Sequence, residues 1–221
     1  FLIDQVKKEL PDFDVDKHFT PSYNPWEQRM CLIPNSDFFN AIKDKSANVV
    51  TDHIEAFEKN GIKLKSGDYL EADIIITATG LVLQNFGGVN ISVNNNPVKV
   101  SETMTYKSLM YSDIPNFVNS FGYINASWTL KADLTSSYLC RLIKHMDKNG
   151  YISACPRKPL DVDETYDWLT DFSSGYIQRS LDLHPRQGSK KPWVNYQDYI
   201  KDWIDVKFSK LEDGNLIFSK D

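Results

Sequence analysis

Residues 69–83 read YLEADIIITATGLVL, from Tyr69 to Leu83. Ile74, Ile75 and Ile76 form a short β-branched run, the composition of a buried strand. The run stops in Thr77-Ala78-Thr79-Gly80. Alanine and glycine leave room at that end for another backbone or a ligand. Ligands of open α/β sheets sit off the carboxyl ends of the strands. The stretch therefore predicts an α/β fold and a binding edge at Thr77 to Gly80.

Upstream of it, His53 to Lys59 and Gly61 to Leu64 read as two strands across an Asn60-Gly61 hairpin turn. Ser66-Gly67-Asp68 then turns the chain into Tyr69, which makes a meander. Asn48 to Thr51 reads as one more short strand. Residues 1–10 carry Phe1, Leu2, Val6 and Leu10 on one side of an amphipathic helix that Pro11 ends. That helix has no visible start and the first residue is not methionine, so a piece of a longer protein is expected. Residues 11–35 hold Pro21, Pro25 and Pro34, which exclude a continuous helix. In this loop Phe19, Tyr23 and Trp26 surround Arg29, which reads either as a solvated cation or as a functional one. Ser36 is placed to cap a helix over 37–45.

Downstream, Asn94-Asn95-Asn96-Pro97 joins two short strands, and Asp113-Ile114-Pro115 breaks the chain. Asn116 to Gly122 reads as a second strand ending in glycine. A long helix follows from about Trp128 to Lys148, with Leu130, Leu134, Tyr138, Leu142 and Met146 at helical spacing and Asn149-Gly150 at its end. The free N–H groups of its first turn suit a phosphate or the electron-rich edge of a reduced flavin. The plainer alternative makes Ser127 an ordinary N-cap. Tyr196 to Phe208 reads as a helix and the NLIFS segment as a closing strand. Trp168, Phe172, Tyr176 and Trp193 either line a pocket or cover the core.

The chain has 221 residues, 41% hydrophobic and 25% charged, as expected of a globular protein. Its net charge of −5 argues against a nucleic-acid surface and a polybasic membrane patch. No apolar run is long enough for a transmembrane helix. Cys31, Cys140 and Cys155 are far apart, as are His18, His53, His145 and His184, so neither a disulfide framework nor a metal-ligand spacing emerges. Isolated thiols fit a reducing, cytoplasmic compartment.

Three stretches, taken in order, resemble the flavin-containing Baeyer–Villiger monooxygenases, and within them the ethionamide-activating branch. They are HFTPSYNPWEQRMCLIPNSDFFNAI at 18–42, DIIITATG at 73–80 and GYINASWTLKADLTSSYLCRLIKHM at 122–146. The likeness is to the C-terminal half of such an enzyme. It implies the later portion of a two-dinucleotide-binding-domain flavoprotein: residues 1–45 ending the NADPH-binding domain, 46–150 continuing the FAD-binding domain, and 151–221 forming a helical or irregular extension.

The resemblance also implies the cofactors FAD and NADPH. Oxygen from O2 would be inserted through a C4a-peroxyflavin into a ketone, giving an ester, or added to the sulfur of a thioether. Arg29 matches the family's active-site arginine, whose permanent charge favours an anionic flavin species in a water-poor site. Thr79, Gly80, Asn125, Ala126, Ser127 and Trp128 match positions beside the flavin, with Lys131 and Asp133 as lesser candidates.

Neither glycine-rich dinucleotide loop of the family occurs here, and Gly87-Gly88 has the wrong spacing for one. The missing N-terminal half would have to supply the pyrophosphate contacts. Two rival readings remain: a heteroatom-oxidising flavin monooxygenase or N-hydroxylase, and an inactive fragment acting as a binding module.

Overall fold

The computed structural model describes residues 1–25, 27–28, 30–31, 33–124, 126–159, 163–165 and 172–221. They form two compact units, Phe1–Thr79 and Gly80–Asp221.

The first unit opens with helix α1 (Leu2–Glu9), α2 (Val15–His18) and α3 (Asp37–Lys43). Leu10, Val15 and Ile42 are buried together, and Ile3, Val6, Phe13, Phe19 and Phe39 pack around them. Ile3, Val6 and Leu10 thus carry the inward face of α1, while Phe1 and Leu2, expected there, are exposed. The Lys43 ammonium reaches the Glu9 carboxylate at 2.6 Å and ties α3 to α1. Ser36 precedes α3 but makes no side-chain cap; its backbone is left-handed, with φ 55°.

Strands β1 (Ile54–Glu58), β2 (Gly61–Leu64) and β3 (Tyr69–Glu71) form the expected antiparallel meander in the order β1-β2-β3. Residues 48–51 are irregular, not a strand.

The strand expected at Ile74–Ile76 does not form. The β3 ladder ends at Glu71, and residues 74–84 belong to no strand. Ile74 and Ile76 are 81% and 85% exposed. A strand exists only through its partner, and no described residue pairs with this run.

The second unit begins with hairpin β4 (Ser92–Val93) and β5 (Asn96–Pro97). Asn94 and Asn95 turn it with φ of 51° and 66°, the left-handed pair that such two-residue loops need. A second ribbon pairs β6 (Thr105–Tyr106) with β7 (Met110–Tyr111). Helix α4 (Trp128–Asn149) follows, closing at Gly150 with φ 68°. Strand β8 (Ser153–Pro156) later pairs with β11 (Leu216–Ser219), and β9 (Glu164–Thr165) with β10 (Gln187–Gly188). The short α5 (Gly175–Gln178) precedes β10, and α6 (Tyr199–Phe208) follows it. Asp198 caps α6 by accepting from the Lys201 N–H at 3.0 Å.

The core of this unit gathers Met104, Tyr106, Leu109, Met110, Leu134, Tyr138, Leu142, Trp193, Val206 and Leu216. Leu134, Tyr138 and Leu142 turn inward as their spacing predicts, but Leu130 is exposed and Lys131 takes the inward place. Phe172 and Trp193 are core residues, while Trp168 lies outside the described residues.

The second strand expected, over 116–122, also fails to form; only Val118 bridges, to Met110. Asn116 has φ 54° and binds β8 with its backbone and amide instead. Every ladder among the described residues is antiparallel. Helix and sheet are mixed, as an α/β reading requires at its coarsest level.

Candidate functional site

The segment before α4 is held from beneath. Tyr123 is buried, and its hydroxyl donates to Asp202 Oδ2 at 2.8 Å. Lys131, in the first turns of α4, donates to the same oxygen at 2.7 Å. The ammonium also lies 5.4 Å from the Tyr123 ring centroid. The Ile124 N–H donates to Gln197 Oε1 at 2.9 Å. Burial lowers the Lys131 pKa, and the Asp202 charge opposes that shift. Burial raises the Tyr123 pKa, and the bond to Asp202 adds to the rise. A carboxylate from α6 therefore locks the entry segment to the first turns of α4. Lys131 serves this lock and faces inward, whereas Asp133 is exposed.

The outer side of the same turn is open. Ala126, Ser127 and Trp128 are exposed. Ser127 occupies the N-cap position but its hydroxyl makes no cap; it pairs with Thr129 Oγ1 at 2.7 Å. The first-turn N–H groups thus keep the partial positive charge of a helix start without satisfaction from the N-cap side chain.

Gly122 faces Trp128 so closely that a Cβ would fall 2.2 Å from the indole Cγ. Only glycine admits this ring, which also lies 5.2 Å from that of Phe121. Backbone donors beside a half-exposed indole suit a flat, electron-rich ring.

Gly80 opens the second unit with φ 96°, a backbone that L side chains rarely adopt. The Arg179 guanidinium donates to the Leu81 carbonyl at 3.1 Å and lies 3.4 Å from where a Gly80 Cβ would stand. Under this loop Phe172 and Ile177 are buried, with Leu83, Phe121, Ile124, Tyr176 and Leu181 packed on them. One apolar cluster therefore anchors both the chain just after Gly80 and the chain just before α4. The Phe121 ring meets His184 edge-on at 5.9 Å, and burial lowers the pKa of that imidazole.

Of the expected site residues, Gly80, Ala126, Ser127 and Trp128 belong to this unit, and Thr79 closes the other. Arg29 and Asn125 lie outside the described residues. Among the described residues no three His, Cys, Asp or Glu side chains are grouped to hold a metal ion.

Arg179, Gln197 and Asp202 are not marked by the local pattern because they join from 71 to 98 positions away, beyond any local periodicity. One signal was available for Asp202. On α6 it shares the side of Val206, where an ordinary amphipathic helix would carry an apolar residue.

Over 99% of its length the chain is homologous to FAD-containing monooxygenases. It is 47% identical over 220 residues to the FAD-containing monooxygenase EthA of Mycolicibacterium smegmatis, covering 99% of this chain and 44% of that protein. The probable FAD-binding monooxygenase AlmA of an Acinetobacter species is 48% identical over 204 residues, 92% of this chain and 41% of AlmA. The putative FAD-containing monooxygenase MymA of Mycobacterium tuberculosis is 43% identical over 218 residues, 99% of this chain and 44% of MymA. The chain thus spans under half the length of these relatives. No family model and no solved structure matches it. The resemblance to flavin-containing monooxygenases is therefore borne out as homology to proteins of that name.

Proposed function

We propose that the chain is the C-terminal part of an FAD- and NADPH-dependent monooxygenase of the Baeyer–Villiger type. It would act on a small ketone, yielding an ester, or on a thioether sulfur, with O2 as co-substrate. The observation that carries the reading is the 43–48% identity, along nearly the whole chain, to proteins named as FAD-containing or FAD-binding monooxygenases. The open start of α4 supports it. Uncapped backbone donors, the Trp128 ring and the side-chain-free Gly122 fit the edge of a flavin ring.

In this reading Ser127 and Trp128 orient the ring edge, and the α4 dipole favours negative charge on it. The Lys131–Asp202–Tyr123 lock keeps that turn in place. The family resemblance would also assign Thr79, Gly80, Asn125 and Ala126 to the cofactor in the complete enzyme. Arg29 holds its positive charge where anionic character develops, and it needs no proton exchange to do so. FAD supplies the oxygen-activating chemistry when bound, and NADPH the reducing equivalents.

The residues present fit the ring and not the pyrophosphate, because no glycine-rich loop lies in this sequence. Residues 1–45 would end the NADPH-binding domain, 46–150 continue the FAD-binding domain, and 151–221 extend it. The exposed Ile74 and Ile76 agree with this. In the longer protein the run would enter a sheet built with strands from the N-terminal half, which this chain does not contain.

Product analysis tests the assignment. A complete enzyme given a ketone and a thioether side by side should form the ester, and Arg29→Ala should abolish it while some NADPH oxidation continues. Undiminished ester yield in that variant refutes the role of Arg29. Oxidation of the thioether alone selects heteroatom chemistry instead.

A further inference from the structure

Helix α6 is amphipathic in the reverse sense for its charges. Its buried side carries Val206 and Asp202, and Asp205 is largely covered and paired with Lys191 at 3.3 Å. Its outer side carries Ile200, Trp203, Ile204 and Phe208, with Phe208 70% and Ile200 68% exposed. Lys201 and Lys207 are exposed on that same side. The rings of Trp203 and Phe208 meet edge-on at 5.3 Å, a pre-formed aromatic pair at the surface.

A second feature lies next to this stripe. Where α6 crosses α4, an open depression of about 490 Å³ is lined by Ser136, Ser137, Arg141, Lys144 and Lys207 around Cys140 and Val206, and no carboxylate is among these lining residues. Arg141 is held there by donating to the carbonyls of Lys207 and Ser209 at 2.7 and 3.1 Å. Three cations and two hydroxyls around one hollow suit a phosphodiester. An apolar stripe with aromatic rings beside it suits acyl chains at the headgroup boundary.

We infer that the outer face of α6, with the Arg141–Lys144–Lys207 hollow, docks on an anionic phospholipid surface: phosphate groups enter the hollow while Ile200, Ile204, Phe208 and Trp203 insert shallowly. The charge pattern selects this occupant. Two copies of α6 packed antiparallel about Ile204 would set Lys201 of each against Lys207 of the other, so self-pairing meets like-charge repulsion. The net charge of −5 conceals the feature because it averages over the chain, whereas the fold turns the α6 aspartates inward and the lysines outward.

Co-sedimentation of the full chain with phosphatidylglycerol–phosphatidylcholine vesicles, and with phosphatidylcholine vesicles alone, tests the inference. The expected result is roughly tenfold stronger binding to the anionic vesicles, weakening with salt. Lys144→Glu/Lys207→Glu and, separately, Ile204→Ser/Phe208→Ser should each remove most of it. All four positions are exposed, and unchanged far-ultraviolet circular dichroism verifies that each variant is folded. The proposal is overturned by equal binding to both vesicle types, by full competition by millimolar inorganic phosphate, or by a chain that elutes as a dimer which Ile204→Ser/Phe208→Ser splits. No binding to either vesicle overturns it as well.

Discussion

Replacing Asp202 by asparagine should destabilise the second unit strongly. The side chains of Lys131 and Asp202 are 1% and 6% exposed, and one carboxylate oxygen accepts from both Lys131 and Tyr123. Asparagine keeps the shape but removes the charge, leaving a buried ammonium without its counter-ion. Breaking a buried pair from one side costs about 3–5 kcal/mol, since the remaining charge keeps its full desolvation penalty. Against a domain stability of about 5–15 kcal/mol, that is about a fifth of the total or more. The melting temperature should drop by roughly 10 °C.

Urea unfolding followed by far-ultraviolet circular dichroism measures the loss. The triple variant Tyr123→Phe/Lys131→Met/Asp202→Leu should regain most of it, because it removes both groups that bond the carboxylate along with the carboxylate itself and leaves no buried polar group unpaired. A loss below about 1 kcal/mol in Asp202→Asn refutes the reasoning, as that is the range of a solvated surface pair.

Further outcomes follow from the same geometry. Burial lowers the His184 pKa below its ordinary 6.5. Below that value the unfolded chain takes up a proton that the folded chain resists. Stability should be intact above about pH 7 and decline as the pH falls through 6.5 toward the folded-state pKa. Thermal unfolding across this range checks it, and His184→Gln should flatten the decline. Gly122→Ala places a methyl group 2.2 Å from the Trp128 indole and should expel the ring, at a cost of about 1–3 kcal/mol. A red-shifted tryptophan emission and faster hydrogen exchange over 128–131 report that outcome; an unchanged spectrum contradicts the contact. Gly80→Ala should cost about 1–3 kcal/mol in urea, because φ 96° strains any residue with a Cβ. Isolated residues 1–221 should bind FAD weakly or not at all in a spectroscopic titration, and stoichiometric FAD retained through dialysis would disprove the account of the missing pyrophosphate loop.

The candidate site was legible where contacts are short in sequence. Ser127 and Trp128 were placed at the helix start because helical periodicity from Leu134 to Met146 projects backward to it. The role of Lys131 was misplaced for the complementary reason. Periodicity puts Leu130 on the inner face, yet the Asp202 carboxylate, brought in by α6, makes the lysine the residue worth burying. Leu83 and Phe121 share one apolar cluster, so the chain just after Gly80 and the chain just before α4 are joined through side chains that neither motif contains.

The residues alone determined α1, α4, the β1–β3 meander, the Asn94-Asn95 turn and the closing strand β11. Each rests on hydrogen bonds and spacings within a few positions or on one complementary run, and each formed as its pattern requires. The glycine that admits the Trp128 ring, the carboxylate that neutralises Lys131 and the outward lysines of α6 were decided only by tertiary structure. So was the opening stretch. Tyr69–Glu71 found its partner in β2 and became a strand, whereas Ile74–Ile76 found none among the described residues and stayed exposed. β-branched composition makes a strand possible, but a neighbouring backbone with free donors and acceptors makes it real.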